Sequence, residues 1–336
     1  MRRMNWRIAA IFVIGIGVSI LSIFWILRVV NISDLKDAMS SASPISFLLL
    51  VVVYLTTFPI RAVRWNRIVD PDSKVSFMIL MKSLIVGFAG NNLLPARAGE
   101  LLRMQYFSLA TKYGRTRALT TIFLEKILDV LVLGTILTIC FFEIKRSQIL
   151  PGILDTLFPV ILIGLSCLIL VVIGLRILRA RVLRWKLNNN KIWLFVREKL
   201  VVVIDALEVV DFSANTLIII LLSIFVWVVE GAVFYLGLST FGVESNLLLI
   251  SFTSLCLVNF GILIPSSPGY IGVFQAAFLS SGFIFSLEKS EVLAASLLVH
   301  LSQFIPITLL GLIVGYDLIL NVWKKPSNGE SDVKEG

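Results

Sequence analysis

Long apolar runs separated by short basic clusters dominate this chain. Six of them, Ile8–Leu27, Pro44–Ile60, Ala118–Phe142, Ile153–Leu175, Thr216–Phe241 and Val292–Leu320, approach or exceed the roughly 20 residues that cross a hydrocarbon core of about 30 Å. Each predicts a full transmembrane helix. The first run follows Arg2, Arg3 and Arg7, as a signal peptide would. It is longer than an h-region of about 7–15 residues and no small-residue cleavage site follows, so it reads as a retained helix.

Two further stretches break in the middle. Val75–Thr111 is apolar on both sides of Asn91-Asn92-Leu93-Leu94-Pro95-Ala96-Arg97-Ala98-Gly99, and Leu247–Leu287 on both sides of Ile264-Pro265-Ser266-Ser267-Pro268-Gly269. Polar, helix-breaking clusters at membrane depth are tolerated only when buried in protein or lining a wet cavity. Both stretches therefore predict re-entrant helical hairpins, with Pro95, Gly99, Pro265, Pro268 and Gly269 at the breaks. The fold class expected is an all-α polytopic membrane protein of six full spans and two hairpins. It forms one domain over residues 1–325, with a disordered tail at 326–336.

Composition agrees. The 336 residues are 58% hydrophobic and 15% charged, with a mean hydropathy of +0.96. That is too apolar for a soluble enzyme and excludes disorder. The net charge of +9 is carried between apolar runs, so anionic lipid rather than nucleic acid is the expected counter-charge. Cys140, Cys167 and Cys256 lie singly in apolar runs, and one histidine cannot build a His-rich metal site. No metal or cofactor is expected, and Gly311 to Gly315 reads as a helix-packing motif.

The basic residues orient the spans. With both termini cytoplasmic, inner segments carry 21 of the 30 Lys and Arg, outer segments five, and the spans and hairpins hold Lys82, Arg97, Arg103 and Lys126. This positive-inside bias requires each hairpin to return to its own side. The longest inner segment, 176–212, contains an apolar-basic stretch that suits either an interfacial helix on anionic lipid or a helix packed on neighbouring loops.

The two breaks align at an offset of 170, with four identities over the thirteen positions from 93 to 105. The predicted repeats are about 1–150 and 151–325. An odd number of spans separates the hairpins, so the repeats are inverted, the layout of alternating-access transporters with a substrate near the midplane.

Candidate chemistry collects at the breaks. Arg97, Glu100 and Arg103 follow Pro95 at intervals of three, on one stripe of a helix beginning there. They suit a phosphate receptor at a helix N-terminus, or an internal salt bridge. Glu125 and Asp129, four apart on the next span, could neutralise those arginines or form a structural ion network. Ser266 and Ser267 offer capping hydroxyls to an anion, or simply turn chemistry. Glu230 and His300 sit mid-span, open to proton coupling or to packing. Arg61 and Arg64 close the second span with Trp65, as an interfacial anchor or a headgroup entry.

Asn92-Leu93-Leu94-Pro95-Ala96-Arg97-Ala98-Gly99-Glu100 with Arg103, then Glu125-Lys126 and Asp129, then Pro265-Ser266-Ser267-Pro268-Gly269-Tyr270-Ile271-Gly272-Val273-Phe274, resembles the lysylphosphatidylglycerol synthase transmembrane-region family, also described as flippase-like domain proteins. Arg61-x-x-Arg64-Trp65 is similar to another stretch common there. Lys126 and Gln275 depart from the Arg and Glu usual in the family. The resemblance implies a prokaryotic cytoplasmic-membrane protein that moves an anionic or phosphate-bearing lipid, a phospholipid or a polyprenyl-phosphate-linked one, between leaflets. Because the chain stops just after its last span, it is not expected to synthesise lysyl-lipid. The partners to expect are membrane lipids, a glycosyltransferase or lipid-modifying enzyme, and a second copy of the chain. The alternative function is a membrane enzyme or accessory subunit acting on a lipid phosphate in glycan-lipid or cell-envelope synthesis.

Overall fold

The computed structural model describes residues 6–69, 75–94, 97–147 and 214–324. Every regular element among them is helical. In chain order these are α1 (Trp6–Val29), α2 (Ile32–Ser40), α3 (Pro44–Val69), α4 (Phe77–Leu93), α5 (Gly99–Ala110) and α6 (Arg115–Arg146). They continue with α7 (Ala214–Ser239), α8 (Leu247–Gly261), a 3-10 turn (Pro268–Tyr270), α9 (Val273–Ile284) and α10 (Lys289–Lys324). The expected span Ile153–Leu175, the inner segment 176–212 and the tail 326–336 lie outside the described residues.

Four helices, α3, α6, α7 and the Lys289–Tyr316 part of α10, are long and apolar enough to cross a membrane. Ile16–Val29 and Ile32–Ser40, bent by 87°, make a fifth if taken as one span. The chain is an all-helical, multi-pass membrane protein.

The largest departure from the sequence pattern is in α3, which does not end at Ile60 but runs on through Arg61 and Arg64 to Val69. The buried side chains Leu50, Tyr54, Phe58, Arg61, Trp65 and Ile68 recur every three or four residues, so one stripe faces inward along the whole helix. Arg61 and Arg64 sit on and beside that stripe, 2% and 0% exposed. They are interior residues of the bundle rather than an exposed helix end.

Both broken stretches fold as antiparallel helix pairs. On α4 and α5, Gly87 faces Arg103 while Gly90 and Asn91 face Gly99, so positions rise on one helix as they fall on the other. A β-carbon on Gly99 would strike the Gly87 carbonyl oxygen and the Asn91 nitrogen, so this approach needs glycine. On α8 and α9, Ser254 Oγ lies 2.6 Å from Ser281 Oγ and Gly261 faces Ala277, again antiparallel.

The breaks differ locally, although their sequences align. α5 begins at Gly99, directly after Arg97 in a left-handed conformation (φ 54°) and Ala98 as N-cap. Arg97 is therefore not on the helical stripe with Glu100 and Arg103. In the second break the position matching Gly99 is Gly269, inside a three-residue 3-10 turn, and α9 starts only at Val273. Gly311 of α10 packs against Ala89 and the Ile85 carbonyl of α4, with Gly315 beside Val86, as its spacing predicts.

Candidate functional site

α3, α5, α6 and α7 each turn charged side chains into the same interior. Arg103 of α5 gives Glu125 of α6 a bidentate pair, Nη1 at 3.2 Å and Nη2 at 2.7 Å, while its guanidinium lies 3.9 Å over the Trp65 ring. Arg64 reaches Asp129 at 2.6 Å, Glu125 at 3.1 Å and Ser223 Oγ at 3.2 Å. Trp227 Nε1–H donates to the same Asp129 oxygen at 3.1 Å. Side-chain exposure is 0% for Arg64, Arg103 and Glu125, so these charges persist only because each is paired.

Outside this dry layer lies a wetter one. Arg61 pairs with Glu230 at 2.5 Å, and its guanidinium sits over the rings of Phe88 and Trp227. Lys126 Nζ lies 3.1 Å from Glu100 Oε1, with the two side chains 33% and 19% exposed. Asn91 Nδ2 also donates to Glu100, at 3.2 Å.

These residues border a cavity of about 140 Å³, room for several waters or one phosphate-sized group. Its wall includes Tyr54, Arg61, Arg97, Lys126, Asp129, Glu230 and His300, with Asn91, Asn92, Asn259 and Gln303 as amides. The two broken segments meet over it. Arg97 Nη2 donates to the Ile262 carbonyl at 3.1 Å and the Asn92 carbonyl lies against Gly269, while Asn92 Nδ2 donates to Thr308 Oγ1 of α10 at 2.9 Å.

Arg97 differs from the other cations. Arg61, Arg64, Arg103 and Lys126 each have a carboxylate within 4 Å, and among the described residues Arg97 has none. Five cations thus face the four carboxylates Glu100, Glu125, Asp129 and Glu230, and Arg97 is the surplus. Its partners are neutral: the Tyr270 side chain, and the Ile262 carbonyl at the C-cap of α8, where the helix dipole is negative. Such a contact is weaker and more replaceable than an ion pair.

His300 closes a hydrogen-bond circuit around the second break. Gly272 N–H donates to Gln275 Oε1 at 2.8 Å, which turns the Gln275 amide nitrogen toward His300 Nδ1, also at 2.8 Å. The Gly269 backbone is a further hydrogen-bond partner of the ring. The circuit holds the imidazole in place, stacked on Phe274 with ring centroids 4.4 Å apart.

The tertiary structure redistributes the candidates that the sequence pattern singles out. Arg97, Glu100, Asp129, Glu230 and His300 line the cavity, and Arg61 joins them from an unexpected direction. Arg103 and Glu125 lie behind it, locked together. Glu125 and Asp129 neutralise Arg103 and Arg64, not Arg97. Ser266 and Ser267 stand apart from the lining. Ser267 has no capping bond, and its N–H and hydroxyl instead meet Ser19 Oγ of α1, both at 2.9 Å. Gly99 and Gly269 shape the breaks, and Pro268 opens only the 3-10 turn; Pro95 lies outside the described residues. Sequence reasoning did not single out Tyr54, Trp227 or Asn259, and it read Asn91 and Asn92 only as part of the first break. Polar residues inside apolar runs were their only signal.

Residues 12–311 match the family described as the lysylphosphatidylglycerol synthase TM region. A UPF0104 membrane protein of Methanocaldococcus jannaschii is 26% identical over 241 residues, covering 71% of this chain and 97% of that protein. A UPF0104 membrane protein of Methanothermobacter thermautotrophicus is 24% identical over 329 residues, covering 92% and 94%.

Proposed function

We propose that this chain, which belongs to the lysylphosphatidylglycerol synthase TM region family, is a flippase-like transporter that moves an anionic or phosphate-bearing lipid between membrane leaflets. The observation that carries the reading is Arg97, the surplus cation of a buried ion network, held at a cavity where both broken segments meet. A phosphate oxygen is a better partner for a guanidinium than a neutral carbonyl or phenol. An incoming headgroup that takes Arg97 from Ile262 also removes a contact joining the two segments. Binding and opening are thereby coupled through one side chain.

Short arms support the re-entrant part of the proposal. α4, α5, α8 and α9 have 17, 12, 15 and 12 residues. At 1.5 Å per residue the longest reaches about 26 Å, short of a core of about 30 Å. We read α4–α5 and α8–α9 as hairpins entering from opposite sides in inverted repeats, with both termini cytoplasmic in a prokaryotic membrane. Transport fits the lining better than catalysis. Each carboxylate there is held by a cation or an indole, and the imidazole is committed to the second break.

The test is leaflet exchange of labelled anionic lipid in proteoliposomes, wild type beside Arg97→Gln. Exchange by wild type that falls at least tenfold in the variant supports the reading. Exchange that ignores the substitution removes Arg97 from the mechanism, and none with any anionic lipid overturns transport.

A further inference from the structure

Resting on that reading, we infer that Arg97 and Lys126 together form a receptor for a lipid phosphate carrying two negative charges, a monoester rather than a diester. Of the five cations in the network, only these two can serve a ligand without breaking an ion pair that is buried on both sides. Arg64 and Arg103 are fully buried and share Glu125, and Arg61 is only 3% exposed against Glu230. Lys126 is one-third exposed, lines the same cavity as Arg97, and pairs with the carboxylate of Glu100.

An ammonium has three donors, and Glu100 Oε1 occupies one of them. Glu100 keeps other partners when Lys126 turns toward a ligand. Asn91 Nδ2 donates to it at 3.2 Å, and Arg103 Nη1 lies 3.9 Å away. Glu100 thus acts as a stand-in anion for Lys126. Arg97 supplies the one surplus charge of the network, and Lys126, its most exposed paired cation, becomes a second cationic donor once Glu100 rests on Asn91 and Arg103, so the cavity presents two cationic side chains to one ligand. A phosphate monoester carries close to two negative charges at pH 7, its second pKa being about 6, whereas a diester carries one.

Calorimetric binding of dihexanoyl phosphatidate and dihexanoyl phosphatidylglycerol to purified protein tests the inference, with inorganic phosphate as a third probe. Wild type is expected to prefer the monoester at pH 7.5 by about tenfold, the worth of one charge-assisted hydrogen bond, and to lose the preference near pH 5. Lys126→Gln should abolish the preference, Lys126→Arg should restore it, and Glu100→Gln should increase it by freeing the ammonium. A preference that survives Lys126→Gln overturns the inference while lipid binding through Arg97 stands. Inorganic phosphate binding as tightly as phosphatidate overturns a lipid as the source of the dianion. Failure of both lipids to bind wild type overturns the transporter reading and this inference with it.

Discussion

Arg64 of α3 and Asp129 of α6, 65 positions apart, meet at 2.6 Å in the interior of the bundle, and Trp227 of α7 donates to the same carboxylate oxygen. Three long helices are therefore fastened at one point by charge rather than by apolar packing. In lipid, where apolar surface gives little drive for helix association, such contacts specify which faces meet.

Arg64 and Arg97 should respond in opposite ways to truncation. Arg64→Ala strands Asp129 and half-strands Glu125, at a cost of about 3–5 kcal/mol for an uncompensated buried charge. Arg97→Gln breaks no ion pair. Thermal unfolding in detergent, followed by size-exclusion fluorescence, is expected to show a large drop in midpoint for the first and little change for the second. Equal drops would contradict the division into structural and ligand-facing arginines.

Gly99→Ala introduces a methyl group where α4 backbone already stands, at the Gly87 carbonyl and the Asn91 nitrogen. Overpacking of this kind costs about 1–3 kcal/mol. Reduced thermal stability together with reduced lipid exchange is expected, since the same shift moves Glu100 and Asn91 at the cavity. Gly17, where an added methyl would meet nothing within 4 Å, is the matched control: Gly17→Ala should be silent.

Ser19 and Ser267 hold the second break to α1, Oγ to Oγ at 2.9 Å. In a background lacking the native cysteines, Ser19→Cys with Ser267→Cys should form a disulfide under mild oxidation. If the second break moves during transport, exchange stops on oxidation and returns with reductant. Full exchange by the cross-linked protein would mean that this contact stays closed throughout.

His300→Ala opens the circuit through Gln275 to Gly269 and Gly272. One lost hydrogen bond of about 1 kcal/mol predicts amide exchange roughly fivefold faster at Gly272–Gln275, with α6 unaffected. Hydrogen–deuterium exchange with peptide-level mass spectrometry reads it. Protection unchanged at the second break would show that Phe274 stacking alone holds the ring.

Apolar runs of span length, interrupted by proline, glycine and asparagine, determined by themselves that the chain is helical, lies in a membrane and breaks at two places. Those features are local, because periodicity and length decide helix and span without knowledge of neighbours. That Arg97, Glu100, Glu230 and His300 face a cavity was legible for a related reason, since a polar group in an apolar run must find a partner or a cavity. Which partner it finds was not legible. Arg103 and Glu125 are 22 positions apart, Arg64 and Asp129 are 65, and Arg61 and Glu230 are 169. Only the packing of α3 between α6 and α7 turned Arg61 and Arg64 from an apparent helix end into the interior. Only the count of paired charges in three dimensions left Arg97 over. Helix and span follow from the order of residues along the chain, whereas charge compensation depends on distances that the tertiary fold alone sets.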